Sequence, residues 1–110
     1  MIIGQLFGND TAEKVLLYLE NYGSGYGLGI AETFDCAVSQ VQRQLERFER
    51  EGVIVSRLVG KTRLYEWNPR YLLIGELRAL LAKALKSLPA EFIERFFRQR
   101  QRPRRKGKPL

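Results

Sequence analysis

The chain contains no histidine and a single cysteine, Cys36. Without an imidazole no Ser–His or Cys–His pair can form, and the commonest general base at neutral pH is missing. The soft metal ligands are missing with it. A thiolate- or imidazole-based metal site within one subunit is therefore excluded, and no metal or other cofactor is expected. One cysteine builds no disulfide framework, which fits a reducing cytoplasm. Cys36 itself reads as a small apolar residue packed in a turn. No apolar run approaches the ~20 residues of a membrane helix, so no membrane partner is expected. The opening residues MIIGQLFGNDT lack the basic start of a signal peptide. No G-x-x-x-x-G-K-S/T phosphate loop occurs, and the Gly-rich YGSGYGLG at 22–29 reads as a helix connection. No paired carboxylates stand out. These absences point away from an enzyme.

Acidic residues are missing from one more place, the end of the chain. Residues 98–110 hold Arg98, Arg100, Arg102, Arg104, Arg105, Lys106 and Lys108 and no acid. These basic residues equal the whole net charge of +7. Residues 1–97 are therefore neutral, and the high isoelectric point belongs to the tail. A basic balance is no argument that the folded part binds nucleic acid. The tail is also rich in Pro, Gly and Arg and is expected to be disordered, because it has too little apolar surface to fold alone. A chain of 110 residues makes one domain that buries roughly 65% of its unfolded surface.

What is present is most informative between Ala37 and Asn68. The run AVSQVQRQLERFEREG places Val38, Val41, Leu45 and Phe48 on one helical face. Ser39, Gln40, Arg43, Arg47 and Arg50 occupy the other. Gly52 ends the helix, as a residue that tolerates positive φ does. The next run, VIVSRLVGKTRLYEWN, has strand-type residues on both sides of a break at Gly60-Lys61. A polar, basic helix face followed by a basic hairpin is the layout of a winged-helix DNA reader. The expected fold class is mainly α with a small β-hairpin (α+β), a winged helix-turn-helix spanning 1–97.

The stretch VQRQLERFEREGVIVSRLVGKTRLYEWNP, Val41 to Pro69, also resembles the recognition helix and wing of ArsR/MarR-like transcriptional regulators. The likeness extends more loosely over Ala12 to Leu88. It implies a dimeric, repressor-like protein that places this helix in the major groove of double-stranded DNA. Two features depart from the family's pattern. Gly27 and Gly29 sit inside the positioning helix, where each costs ~1 kcal/mol relative to Ala. Asp35 and Ala37 stand where Gly and a hydroxyl cap are common. Asp tolerates the left-handed conformation, and Asp35 or Ser39 is expected to supply a shifted cap.

Along the rest of the chain, Asn9-Asp10-Thr11 offers a cap for a first helix from Asp10 to Tyr22. Gly23-Ser24-Gly25 ends it. A second helix is expected over Gly27–Phe34, with Leu28, Ile30, Ala31 and Phe34 available to the core. Strands are expected at Val53–Leu58 and Arg63–Asn68, with Leu64, Tyr65 and Trp67 in the hairpin core. A long amphipathic helix follows from Pro69 or Arg70 to Ser87, and a last one from Ala90 to about Arg98. The apolar stripe of the long helix is wider than the domain needs. It suggests a homodimer, the plain alternative being that it covers the monomer's own core.

The candidate DNA-binding residues divide by role. Ser39, Gln40 and Arg43 lie where such a helix reaches base edges. Arg suits guanine and Gln suits adenine, each worth ~1–3 kcal/mol of discrimination. Gln44 and Arg47 are expected on phosphates. Arg57, Lys61, Thr62 and Arg63 surround the Gly60 turn of the wing. The plain alternative is a solvated helix in which Glu46, Glu49 and Glu51 pair with the arginines, followed by a hairpin kept soluble by charged edges. The rival function is accordingly a winged-helix module for protein–protein contact, with a tail that binds nucleic acid loosely.

Overall fold

The computed structural model describes residues 4–99. A short helix α1 (Gly4–Phe7) precedes α2 (Asp10–Tyr22), strand β1 (Ser24–Tyr26) and α3 (Gly27–Phe34). Helix α4 (Val38–Arg50) then leads into the hairpin β2 (Ile54–Val59) and β3 (Thr62–Trp67). Helices α5 (Ile74–Lys86) and α6 (Ala90–Phe96) complete the described chain.

Local chemistry explains the helix boundaries. Asn9 is extended and its side chain accepts from Ala12 N at 2.8 Å, capping α2. Asp35 takes the left-handed conformation expected of it, with φ 54°. Ala37 caps α4 with no side-chain hydrogen bond, so the shifted cap expected from Asp35 or Ser39 does not form. Gly52 closes α4 at φ 83°, and Val53 N donates to Phe48 O across the turn.

The core joins every helix from α2 onward to the sheet. Val15, Leu16 and Leu19 of α2 meet Ile30 and Phe34 of α3, Val41 and Leu45 of α4, Ile54 and Tyr65 of the sheet, and Leu81 of α5. Phe97 is also buried, beside Phe34. Asn21 Nδ2 donates to Phe97 O at 2.9 Å and Tyr22 Oη to Phe96 O at 2.7 Å, latching the end of α6 onto α2.

Several expectations need correction. The hairpin is part of a three-stranded antiparallel sheet in the order β1-β3-β2. Strand β1 lies in the segment read as a helix connection, and α1 was not expected. Three residues with a central glycine carry no strand periodicity; pairing with β3 makes Ser24–Tyr26 a strand. Helix α5 starts at Ile74, later than expected. Asn68 Oδ1 accepts from Arg70 N at 3.0 Å and a series of turns follows, leaving Leu72 and Leu73 exposed. Helix α6 ends at Phe96 rather than Arg98. Val38 and Leu28, read as core, are exposed, each being near the start of its helix. The expected disordered tail lies mostly outside the described residues. Arg98 and Gln99 fall within them, and Gln99 N donates to Tyr22 Oη at 3.1 Å.

Candidate nucleic-acid interface

Helix α4 buries Val41, Leu45 and Phe48, and this sets which of its polar residues face outward. Ser39, Gln40 and Arg43 are exposed. Among the described residues, none forms an ion pair with Arg43. These three candidates therefore lie on one open face near the helix start.

The two candidates next on the helix behave differently. Gln44 is only 8% exposed, which removes it from any surface that meets a phosphate. It lies one turn from Val41 and Phe48 and is carried into the core with them. Arg47 is half-buried. It donates through Nη2 to Phe7 O at 2.8 Å and lies over the Phe48 ring, 4.8 Å from its centroid. It holds α1 against α4 in place of the phosphate contact expected of it.

The wing splits by strand alternation. Ile54, Ser56 and Leu58 share the sheet face that meets α4, because Ser56 Oγ donates to Glu49 Oε2 at 2.6 Å. Arg63, the partner of Leu58 in register, is on that face too and donates to Ser56 Oγ at 3.0 Å. Arg57 is on the other face, 3.8 Å from Glu66 Oε2. Lys61 and Thr62 are exposed at the tip, beside Gly60 at φ 66°. A two-residue turn with Gly first is a usual hairpin solution.

Two residues of this region carried no signal in the sequence. Gln42 Nε2 donates to Tyr65 Oη at 2.9 Å, tying α4 to β3. Glu49, read as a partner for helix arginines, instead reaches the wing through Ser56. The first joins residues 23 apart and the second crosses the turn from α4 into β2, and neither follows a repeat within one helix or strand that would announce it.

The order of these elements, with a hairpin packed on the second helix of a helix-turn-helix, is shared with solved regulators. The structure matches the antimony-specific transcriptional repressor AntR with a TM-score of 0.59 and 16% identity, covering 77% of this chain and 75% of that one. It matches YusO from Bacillus subtilis with a TM-score of 0.55 and 20% identity, over 82% and 70% of the two chains. A MarR-family regulator from Rhodococcus sp. RHA1 gives 0.55 and 15%, over 84% and 71%.

The fold is a winged helix-turn-helix.

Neither a protein-family model nor a curated protein matches the sequence of this winged helix. The likeness is thus one of architecture. It assigns α3 and α4 as the helix-turn-helix, β2–β3 as the wing, and α5 and α6 as the helices that follow it. Among the described residues, no group of three or more His, Cys, Asp or Glu side chains is placed to hold a metal ion. No helix among them is long and apolar enough to cross a membrane.

Proposed function

We propose that the chain is a cytoplasmic, homodimeric regulator that binds double-stranded DNA in a sequence-specific, repressor-like way, by covering a promoter. The observation that carries this reading is the shared exposure of Ser39, Gln40 and Arg43 at the start of α4. Arginine, glutamine and serine are all able to bond base edges in the major groove. Lys61 and Thr62 at the wing tip supply the flanking backbone contact. Arg63 joins them by letting go of Ser56, an exposed bond. The dimer would read two half-sites about one helical turn apart, ~34 Å. The basic tail would track phosphates, each contact adding ~0.9 to the salt slope.

A second reading rests on a specific observation. Of the wing and helix arginines, Arg47, Arg57 and Arg63 are all engaged within the protein, and Glu49 and Glu66 stand among them. A surface whose arginines are engaged in this way suits a protein partner.

Fluorescence anisotropy separates the two. Full-length protein and a chain ending at Gln99 are titrated with the promoter region of the protein's own gene and with random duplex, across a salt series. Promoter binding that outlasts random-duplex binding as salt rises, and survives the truncation, supports DNA reading. Equal, steeply salt-dependent binding that vanishes with the tail supports the protein-contact module.

A further inference from the structure

A groove of about 740 Å³ lies between α2, the end of β3 and α5. Trp67 gives it an aromatic wall, and Ile74, Ala79 and Ala82 an apolar one. Glu20 and Glu66 bring two carboxylates to it, and Arg78 brings one guanidinium. The lining is therefore one negative charge in excess.

Arg78 shows what such a lining favours. Its guanidinium carbon stands 5.7 Å from the centroid of the Trp67 ring. Its Nε donates to Glu20 Oε1 at 2.9 Å. A planar cation is thus already held between an aromatic face and a carboxylate. The two partners differ in how firmly they are placed: the Arg78 side chain is 46% exposed and that of Glu20 is 15% exposed. The carboxylate and the ring are the fixed parts, and the arginine head is the part free to swing into solvent. Trp67 is 8% exposed, and its Nε1 has no hydrogen-bond partner among the described residues. Glu66 is held only loosely, 3.8 Å from an exposed Arg57.

The groove also lies apart from the apolar residues suited to a second copy. Ala82 lines it, whereas Leu80 is an exposed leucine two residues earlier. Two residues correspond to about 200° around a helix. A partner seated on Leu80 leaves the groove open.

We infer that this groove is a binding site for a planar organic cation of the amidinium or guanidinium class. The ligand replaces the Arg78 head group, stacking on Trp67 and donating paired N–H bonds to Glu20. The apolar wall takes the ligand's ring or chain. The inference does not depend on what the recognition helix binds.

Trp67 is the only tryptophan of the chain, so its emission reports on the groove directly. Benzamidine is the probe, with benzamide and benzoate as neutral and anionic compounds of the same shape. Saturable change in Trp67 emission with benzamidine, and none with the other two over the same range, is the expected result. Glu20→Gln should weaken benzamidine by at least about tenfold, the value of a hydrogen bond to a charged group. Arg78→Ala should tighten it, because the tethered competitor is gone. Equal response to benzamide, stronger response to benzoate, or benzamidine binding unchanged in Glu20→Gln each overturns the assignment.

Discussion

Gln42 and Tyr65 are 23 residues apart, yet the amide Nε2 of one donates to the phenol oxygen of the other at 2.9 Å. The bond fastens the middle of α4 to the central strand of the sheet. It thereby fixes the angle between the helix and its wing. Replacing Tyr65 with Phe keeps the buried ring and strands the Gln42 donor. A loss of about 1 kcal/mol in urea denaturation is expected. Unchanged stability would show that the phenol oxygen does not hold the helix.

Two glycines of α3 should respond differently. A Cβ at Gly27 would stand 2.6 Å from Gln42 Oε1, the same amide that Tyr65 holds. A Cβ at Gly29 meets nothing within 4 Å. Gly29→Ala is expected to stabilise the fold by about 0.5–1 kcal/mol, through helix propensity alone. Gly27→Ala is expected to forfeit that gain by pushing Gln42 off Tyr65. Thermal melts of both variants, and of Gly27→Ala combined with Gln42→Ala, test the pair. The combined variant should be no less stable than Gln42→Ala alone, because both changes act on the one bond.

Arg43 and Arg47 are one helical turn apart and should separate binding from stability. Arg43→Ala should cost ~1–3 kcal/mol in binding to a specific duplex, relax preference at one base, and leave the melting temperature unchanged. Arg47→Ala should lower stability by about 1 kcal/mol, since Phe7 O and the Phe48 ring lose their partner. Competition binding with single-base variants of the duplex, beside melts of both proteins, decides it.

The proposed dimer is tested at Leu80, a leucine of α5 that is 42% exposed at the edge of the core. Leu80→Glu should convert a dimer to a monomer in light scattering, with the fold intact by circular dichroism. An equal mass for the two proteins would place the interface elsewhere or remove it.

Tyr18 supplies a pH dependence. Burial raises its pKa above 10.0, the nearby Tyr22 raises it further, and a hydrogen bond with Thr33 opposes them. An acid whose folded pKa is raised stays protonated while the unfolded chain ionises. Its contribution to stability is therefore whole below pH 10 and is lost as the pH climbs through the folded value. Tyr18→Phe should flatten the fall in stability above pH 10 relative to the native chain, as read by urea titrations at stepped pH.

Much of this molecule was legible residue by residue. Asn9, Gly52 and Gly60 act locally, through caps and positive φ. The spacing of Val41, Leu45 and Phe48 marks the buried face of α4 whatever it packs on. Helices α2, α3 and α4 and both hairpin strands follow from such short-range rules within a residue or so. The fates of Gln44 and Arg47 do not. Gln44 flanks the apolar face, and periodicity cannot say which way a flanking residue turns; Arg47 lies on the polar face, and periodicity cannot say which other element meets it there. That was decided by α1, whose Phe7 carbonyl captures Arg47, and by a core wide enough to take Gln44. Strand β1 exists only because β3 is there to pair with it. The groove at Trp67 needs three elements brought together from far along the chain. The sequence by itself determined the helices of the helix-turn-helix and the strands of the wing, because those rest on caps, turns and spacing within a few residues. Only the tertiary structure decided which side chains are left free to bind, because burial and long-range hydrogen bonds claim the rest.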